Sequence, residues 1–158
     1  MKRIVSTEMV VLAGLLAVPA VAGLEHRFGQ IPATPITDPR LFHLQRFFAG
    51  HNSPLSELAP EFLAAADENE LDWRLLPSIS LVESSGGKFY RNNNVFGWDN
   101  CNRRFPSVRA SIRLVAAQLG SSRRYKDKDV DQILSIYNPR PEYSVWVESV
   151  LRSIGALN

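Results

Sequence analysis

DWRLLPSISLVESSGGK, residues 72 to 88, reads as an apolar helix that ends in an acid. Asp72 supplies a capping carboxylate, and Leu75, Leu76, Ile79 and Val82 recur at helical spacing on one face. Pro77 lacks an amide proton, so the regular part of the helix is expected to begin near Leu76. It should stop at Ser84-Ser85-Gly86-Gly87, because paired glycines accept the left-handed geometry of a helix end. Glu83 then falls in the last turn, where the helix dipole disfavours a carboxylate by a few tenths to about 1 kcal/mol. If Leu81 and Val82 exclude water there, the carboxyl is pushed towards its protonated form, which is what a general acid needs near neutrality. Taken alone, the same glutamate reads equally as a surface residue that happens to end a helix.

The stretch that follows, residues 89 to 105, has no convincing period and is expected to be a long loop with at most a short hairpin. Within it NNNVFGW, residues 92 to 98, offers amides that bond sugar hydroxyls and acetamido groups, and a Trp98 face suited to a pyranose ring. Asn94, Phe96, Gly97 and Trp98 are candidate binding residues. Asparagine runs also make turns, Phe96 also suits a core, and Gly97 also permits a positive φ. Asp99 is a possible second carboxylate, to activate water or stabilise positive charge, and equally a solvated loop residue.

Helical patterns surround this region. Asp38 caps a helix over 40 to 49 with Pro39 at its first position and Leu41, Leu44, Phe47 and Phe48 as its stripe. Pro60 opens another with Phe62, Leu63 and Ala66, running to about Glu70. Ser107 caps a fourth with Ile112, Val115, Ala116 and Leu119 inward, and Val130, Ile133, Leu134 and Tyr137 stripe a fifth. Pro141 starts the last, which carries Val145, Trp146, Val150, Leu151 and Ile154. The fold class expected is mainly α, an irregular bundle of about five or six helices with one long cleft-forming loop.

Three segments together resemble the lysozyme-like superfamily, in particular lytic transglycosylases and bacterial endo-β-N-acetylglucosaminidase domains. They are the helix ending in E-S-S at Glu83, NNNVFGW at 92 to 98, and IYNPRPEY at 136 to 143, which is similar to the Y-N motif of the transglycosylases. All three occur in the family order across residues 60 to 155. The resemblance implies Glu83 as catalytic acid/base, and Tyr137 as the residue that orients it or the acetamido group. It implies Asn94, Phe96 and Gly97 in a cleft wall beside Trp98, with Asn138 completing the Y-N pair. The substrate implied is peptidoglycan or a related N-acetylated glycan, cut at β-1,4 bonds as a glycosidase or lytic transglycosylase. The transglycosylase G-L-M-Q segment is absent, with VFGW in its place. Two other functions remain open on the sequence: a non-catalytic glycan-binding module, and an exported helical interaction domain in which Trp98, Tyr143 and Trp146 are core or interface.

The bulk properties fit such a protein. The chain has 158 residues, with 18 Lys and Arg against 16 Asp and Glu. A net charge of +2 lacks the clustered basic excess of a nucleic-acid binder, so no nucleic acid is expected. One cysteine, Cys101, precludes an internal disulfide and reads as a free loop thiol. His26, His43 and His51 show no metal-ligand spacing and read as solvated, so neither metal nor cofactor is expected. Lys2 and Arg3, the apolar run Met9 to Val18, and Ala20-Val21-Ala22 have the form of an export signal over 1 to 22, followed by a Pro-containing tether over 23 to 37 and the helical domain from 38 to 158. Cleavage after Ala22 gives a secreted bacterial protein of the periplasm or cell wall; an uncleaved segment gives a membrane-tethered one. A monomer is expected.

Overall fold

A computed structural model describes residues 38 to 156. The export-signal and tether readings, 1 to 22 and 23 to 37, lie outside the described residues. Within them the chain is mainly helical, with six α-helices: α1 Pro39–Gly50, α2 Ala59–Glu68, α3 Leu75–Ser84, α4 Val108–Ser121, α5 Val130–Tyr137 and α6 Pro141–Gly155. A 3-10 turn, Pro54–Leu58, joins α1 to α2. No helix among the described residues is long and apolar enough to cross a membrane.

The caps explain the boundaries. Asp38 accepts from the Arg40 amide at 2.9 Å, and Ser107 from the Ala110 amide at 3.1 Å. Asp129 and Gln132 form a reciprocal capping box that starts α5. Asp72 differs from its expected role. Its Oδ1 accepts from the Arg74 amide at 2.9 Å and its carbonyl from Leu75 at 2.9 Å, so it shapes the turn before α3 while Arg74 occupies the cap position. Pro77 therefore falls in the first turn of α3, where amides have no intrahelical acceptor, and its missing proton costs the helix nothing.

The core is built around aromatic rings passed from element to element. Phe48 of α1 meets Phe62 of α2 with centroids 5.2 Å apart, and Phe62 meets Phe96 of the long loop at 6.3 Å. All three are fully buried with Leu75, Leu76 and Ile79 of α3 and Ile112, Val115 and Leu119 of α4. Burying a phenylalanine is worth roughly 1.5–3 kcal/mol, so Phe96 fastens its loop to the helical body. The stripe of α6 departs from the expected one. Its buried residues are Tyr143, Val147, Leu151 and Ile154, whereas Val145 and Trp146 are 61% and 56% exposed. A helix presents one face to the core, and here Tyr143 and Val147 set its rotation.

Glu61 of α2 is a buried acid that clamps two helices together. It is 6% exposed and accepts hydrogen bonds from Arg109 and Arg113, one turn apart on α4. Burial alone would raise its pKa, but the two guanidiniums outweigh that and hold it below the usual range.

His43 corrects the solvated reading, being half-buried with its Nδ1 enclosed and its ring 6.4 Å from Trp73. His51 is exposed and directs Nδ1 at the Phe47 carbonyl, 2.8 Å away.

Candidate functional site

The end of α3 is fixed to the loop after it by one hydroxyl. Ser84 Oγ lies 2.8 Å from both the Ser80 and the Val95 carbonyls and accepts from the Gly87 amide at 3.0 Å. Ser85 adopts the left-handed conformation, φ 52°, and Gly86 and Gly87 continue it, so the chain reverses directly after Glu83. The serine following the acid thus ties the helix end to the segment that will face it.

That segment is a loop with a single antiparallel bridge, Arg91 to Asn94. Asn92 and Asn93, φ 58° and 56°, form the tight turn between them, a mirror-type turn that asparagine tolerates well. The three asparagines brace the loop. Asn93 Nδ2 donates to Phe105 O at 2.9 Å, and Asn94 donates to Trp98 O at 2.8 Å while accepting from the Trp98 amide at 3.0 Å. Asn94 is 2% exposed and Phe96 fully buried. Both therefore stand behind the cleft wall, correcting their expected place in it: their side chains are already engaged in bracing and packing.

Gly97, Trp98 and Asp99 do reach the surface. With Glu83, Cys101, Arg103, Arg124, Tyr125, Tyr137, Asn138 and Arg140 they line a groove of about 870 Å³. Gly97 has φ +63°, and a Cβ added there would collide with Glu83 Oε2. The carboxyl is seated directly on the glycine backbone, and no side chain fits between. Asp99, Asn100 and Cys101 follow in left-handed conformations, φ 54°, 50° and 63°. Such geometry is uncommon for cysteine and gathers strain at the groove rim. Asp99 is exposed, unlike Glu83.

Two tyrosines stand by the acid. Tyr137, the last residue of α5, donates its hydroxyl proton to the Phe96 carbonyl. The hydroxyl thus bonds the backbone and not Glu83 itself, at the residue before the glycine on which the carboxyl rests. Tyr143, one turn into α6, stacks on Tyr137 with centroids 5.9 Å apart and planes 10° apart. Its hydroxyl is buried beside Glu83 and faces the carboxyl without closing a hydrogen bond of ordinary geometry. Trp98 stands edge-on to Tyr137 at 5.6 Å and tilted to Tyr125 at 6.3 Å. Trp98, Tyr125 and Tyr137 line the groove, with Tyr143 buried behind them.

Burial raises the pKa of Glu83 above its ordinary 4.5, and the nearby Tyr143 hydroxyl and Arg140 charge only partly oppose it. Tyr137 and Tyr143 are pushed well up, first by burial and then by neighbouring negative charge that includes Glu83. Both stay protonated throughout the range in which Glu83 titrates. A second hollow of about 360 Å³ lies between Glu68 to Leu71 and Lys126 to Lys128. Its charges are mixed in sign.

Sequence reasoning brought Glu83, Gly97, Trp98, Asp99, Tyr137 and Asn138 to this groove, and missed Tyr125, Arg124, Arg140 and the placement of Tyr143 beside the acid. The Y-N segment continues through Arg140 to Tyr143, which was the signal that could have found those two; Arg124 and Tyr125 carry no such signal. No group of three or more His, Cys, Asp or Glu among the described residues is arranged to hold a metal ion. Comparison with known protein families, with curated proteins and with solved structures gives no match.

Proposed function

We propose that this protein cleaves β-1,4 bonds between the N-acetylated amino sugars of peptidoglycan, with Glu83 as general acid and then base, on a lysozyme-like helical scaffold. One observation carries the reading: Glu83 is an acid raised in pKa by burial, and it opens onto a sugar-sized groove with an aromatic wall. A glycosidic oxygen leaves only if it is protonated as the sugar develops oxocarbenium character, and a carboxyl whose proton is held more tightly by burial supplies it. Trp98 offers an apolar surface to a sugar ring, and Asn138 amide groups to its hydroxyls.

Asp99, exposed on the rim, is poorly enclosed for a nucleophile, which favours attack from within the substrate by its acetamido group or its 6-hydroxyl. In the latter course Glu83 gives its proton to the leaving oxygen, the 6-oxygen bonds to the anomeric carbon, and the carboxylate takes up the 6-hydroxyl proton. The product is an anhydro sugar, one water lighter than a hydrolytic end.

Digestion of purified cell walls followed by mass spectrometry tests this. The expected outcome is soluble muropeptides from the native protein and none from a folded Glu83→Gln variant. Undiminished release by that variant would remove Glu83 from the mechanism, while wall binding without release by the native protein would favour a glycan-binding module.

A further inference from the structure

Arginines outnumber acids in the groove. Arg103 from the long loop, Arg124 from beyond α4 and Arg140 from the α5–α6 connection converge on it, against Asp99 and Glu83. Elsewhere arginines close on carboxylates: Arg40 on Asp38 and Asp67, Arg74 on Asp72, Arg109 and Arg113 on Glu61, Arg152 on Glu148. Among the described residues none of the three groove arginines has such a partner. Two are anchored by other means: Arg124 donates to the Ile136 carbonyl at 3.2 Å and lies 5.7 Å over the Tyr125 ring, and Arg103 lies 6.0 Å over Phe105. Three guanidiniums from separate segments, at one groove and in no salt bridge among the described residues, leave their fork-shaped donor sets to an incoming anion.

We infer that Arg103, Arg124 and Arg140 select a glycan strand that carries carboxylates over a neutral strand of the same amino sugars. The assignment rests on the glycan reading above and adds the chemistry by which the groove chooses among glycans. Carboxylates on such a strand come from two sources, lactyl ether groups on the sugars and attached peptides, and a guanidinium pairs with either. Hydrogen bonds to a charged partner are strong enough for a preference of about tenfold, and because the groove is open to solvent the preference must weaken as salt screens it.

Calorimetric binding to the full chain carrying Glu83→Gln, which separates recognition from turnover, tests the assignment with three probes of equal sugar length. These are a neutral N-acetylglucosamine oligomer, a peptide-free strand with lactyl carboxylates, and a peptide-bearing strand. At least one charged strand is expected to bind about tenfold tighter than the neutral one at about 0.05 M salt, with the ratio falling towards one at about 0.5 M. The ratio is likewise expected to collapse when Arg103→Gln, Arg124→Gln and Arg140→Gln are combined. Whichever charged strand carries the gain identifies the source of the carboxylate. Equal affinity for neutral and charged strands, or a preference indifferent to salt, would overturn the assignment while leaving the glycan reading intact. Binding of none of the three would remove that reading and the assignment with it. Should the triple variant fold poorly, the salt series on the unsubstituted arginines decides alone.

Discussion

Gly97 shows how narrowly the site is specified at the level of single residues. Its backbone is the surface on which the Glu83 carboxyl rests, and its φ of +63° belongs to the left-handed region. Replacing it with alanine brings in two costs: a conformational one of roughly 1–2 kcal/mol, and displacement of Glu83 Oε2, which occupies the space the new carbon would need. On the proposed mechanism, Gly97→Ala is therefore expected to lower kcat by about a hundredfold, since angstrom-scale misplacement of a catalytic group costs that much. Thermal melting beside steady-state kinetics checks this; undiminished kcat would show that the seat does not matter. From the sequence, Gly97 was legible as a residue permitting positive φ. That a carboxyl would occupy the space of its absent side chain was not, because the contact joins residues 14 apart that tertiary contacts, the Ser84 bridge to Val95 among them, bring face to face.

Among the elements, α3 does most to create the site, and Ser84 is where its end is fastened. The hydroxyl serves two carbonyls and one amide, all buried. Ser84→Ala leaves the Val95 carbonyl and the Gly87 amide without this partner, the Ser80 carbonyl keeping the Gly86 amide, and is expected to cost about 1–3 kcal/mol, with a larger proportional loss of the proposed activity because the Val95 tether also fixes the Gly97 seat. Denaturant melts with activity assays check it; a variant as stable and active as the parent would show the bridge to be incidental. The helices themselves were legible from short-range signals, namely Asp38 and Ser107 caps, prolines in first turns, and the stripes of α1 and α4. The rotation of α6 was not. Val145 and Trp146 are as apolar as the residues that are buried, and what turns them outward is the stacking of Tyr143 on Tyr137 of another helix. The loop after α3 was illegible for a related reason. Its asparagines satisfy backbone groups across 4 to 12 residues, a pattern without period.

At the scale of the whole molecule, the groove has a thermodynamic consequence. Glu83 has a folded pKa above its unfolded one, so the folded state holds the proton more tightly. Its contribution is fully favourable below the unfolded pKa and is lost as pH rises through the raised folded value, beyond which a partly buried carboxylate must be carried. Glu83→Gln removes that burden. It is expected to raise the melting temperature near neutral pH and above, with the gain fading towards pH 4. Glu61 has the opposite sign: its depressed pKa contributes stability that is lost as pH falls through the folded value. Melting curves across pH for the parent and Glu83→Gln check the first; a difference independent of pH would point to packing and away from proton linkage.

The proposed catalysis turns on the protonation of one carboxyl, and that can be read directly. With glutamate labelled at the side-chain carboxyl carbon and the Glu83 resonance assigned by its absence in Glu83→Gln, a carbon-13 titration of the intact protein gives its midpoint without any substrate. A midpoint clearly above 4.5, matching the alkaline fall in glycan cleavage, is the expected result. A midpoint at or below 4.5 would mean that Glu83 is an ordinary carboxylate at working pH, and the acid assigned to it would have to be sought elsewhere.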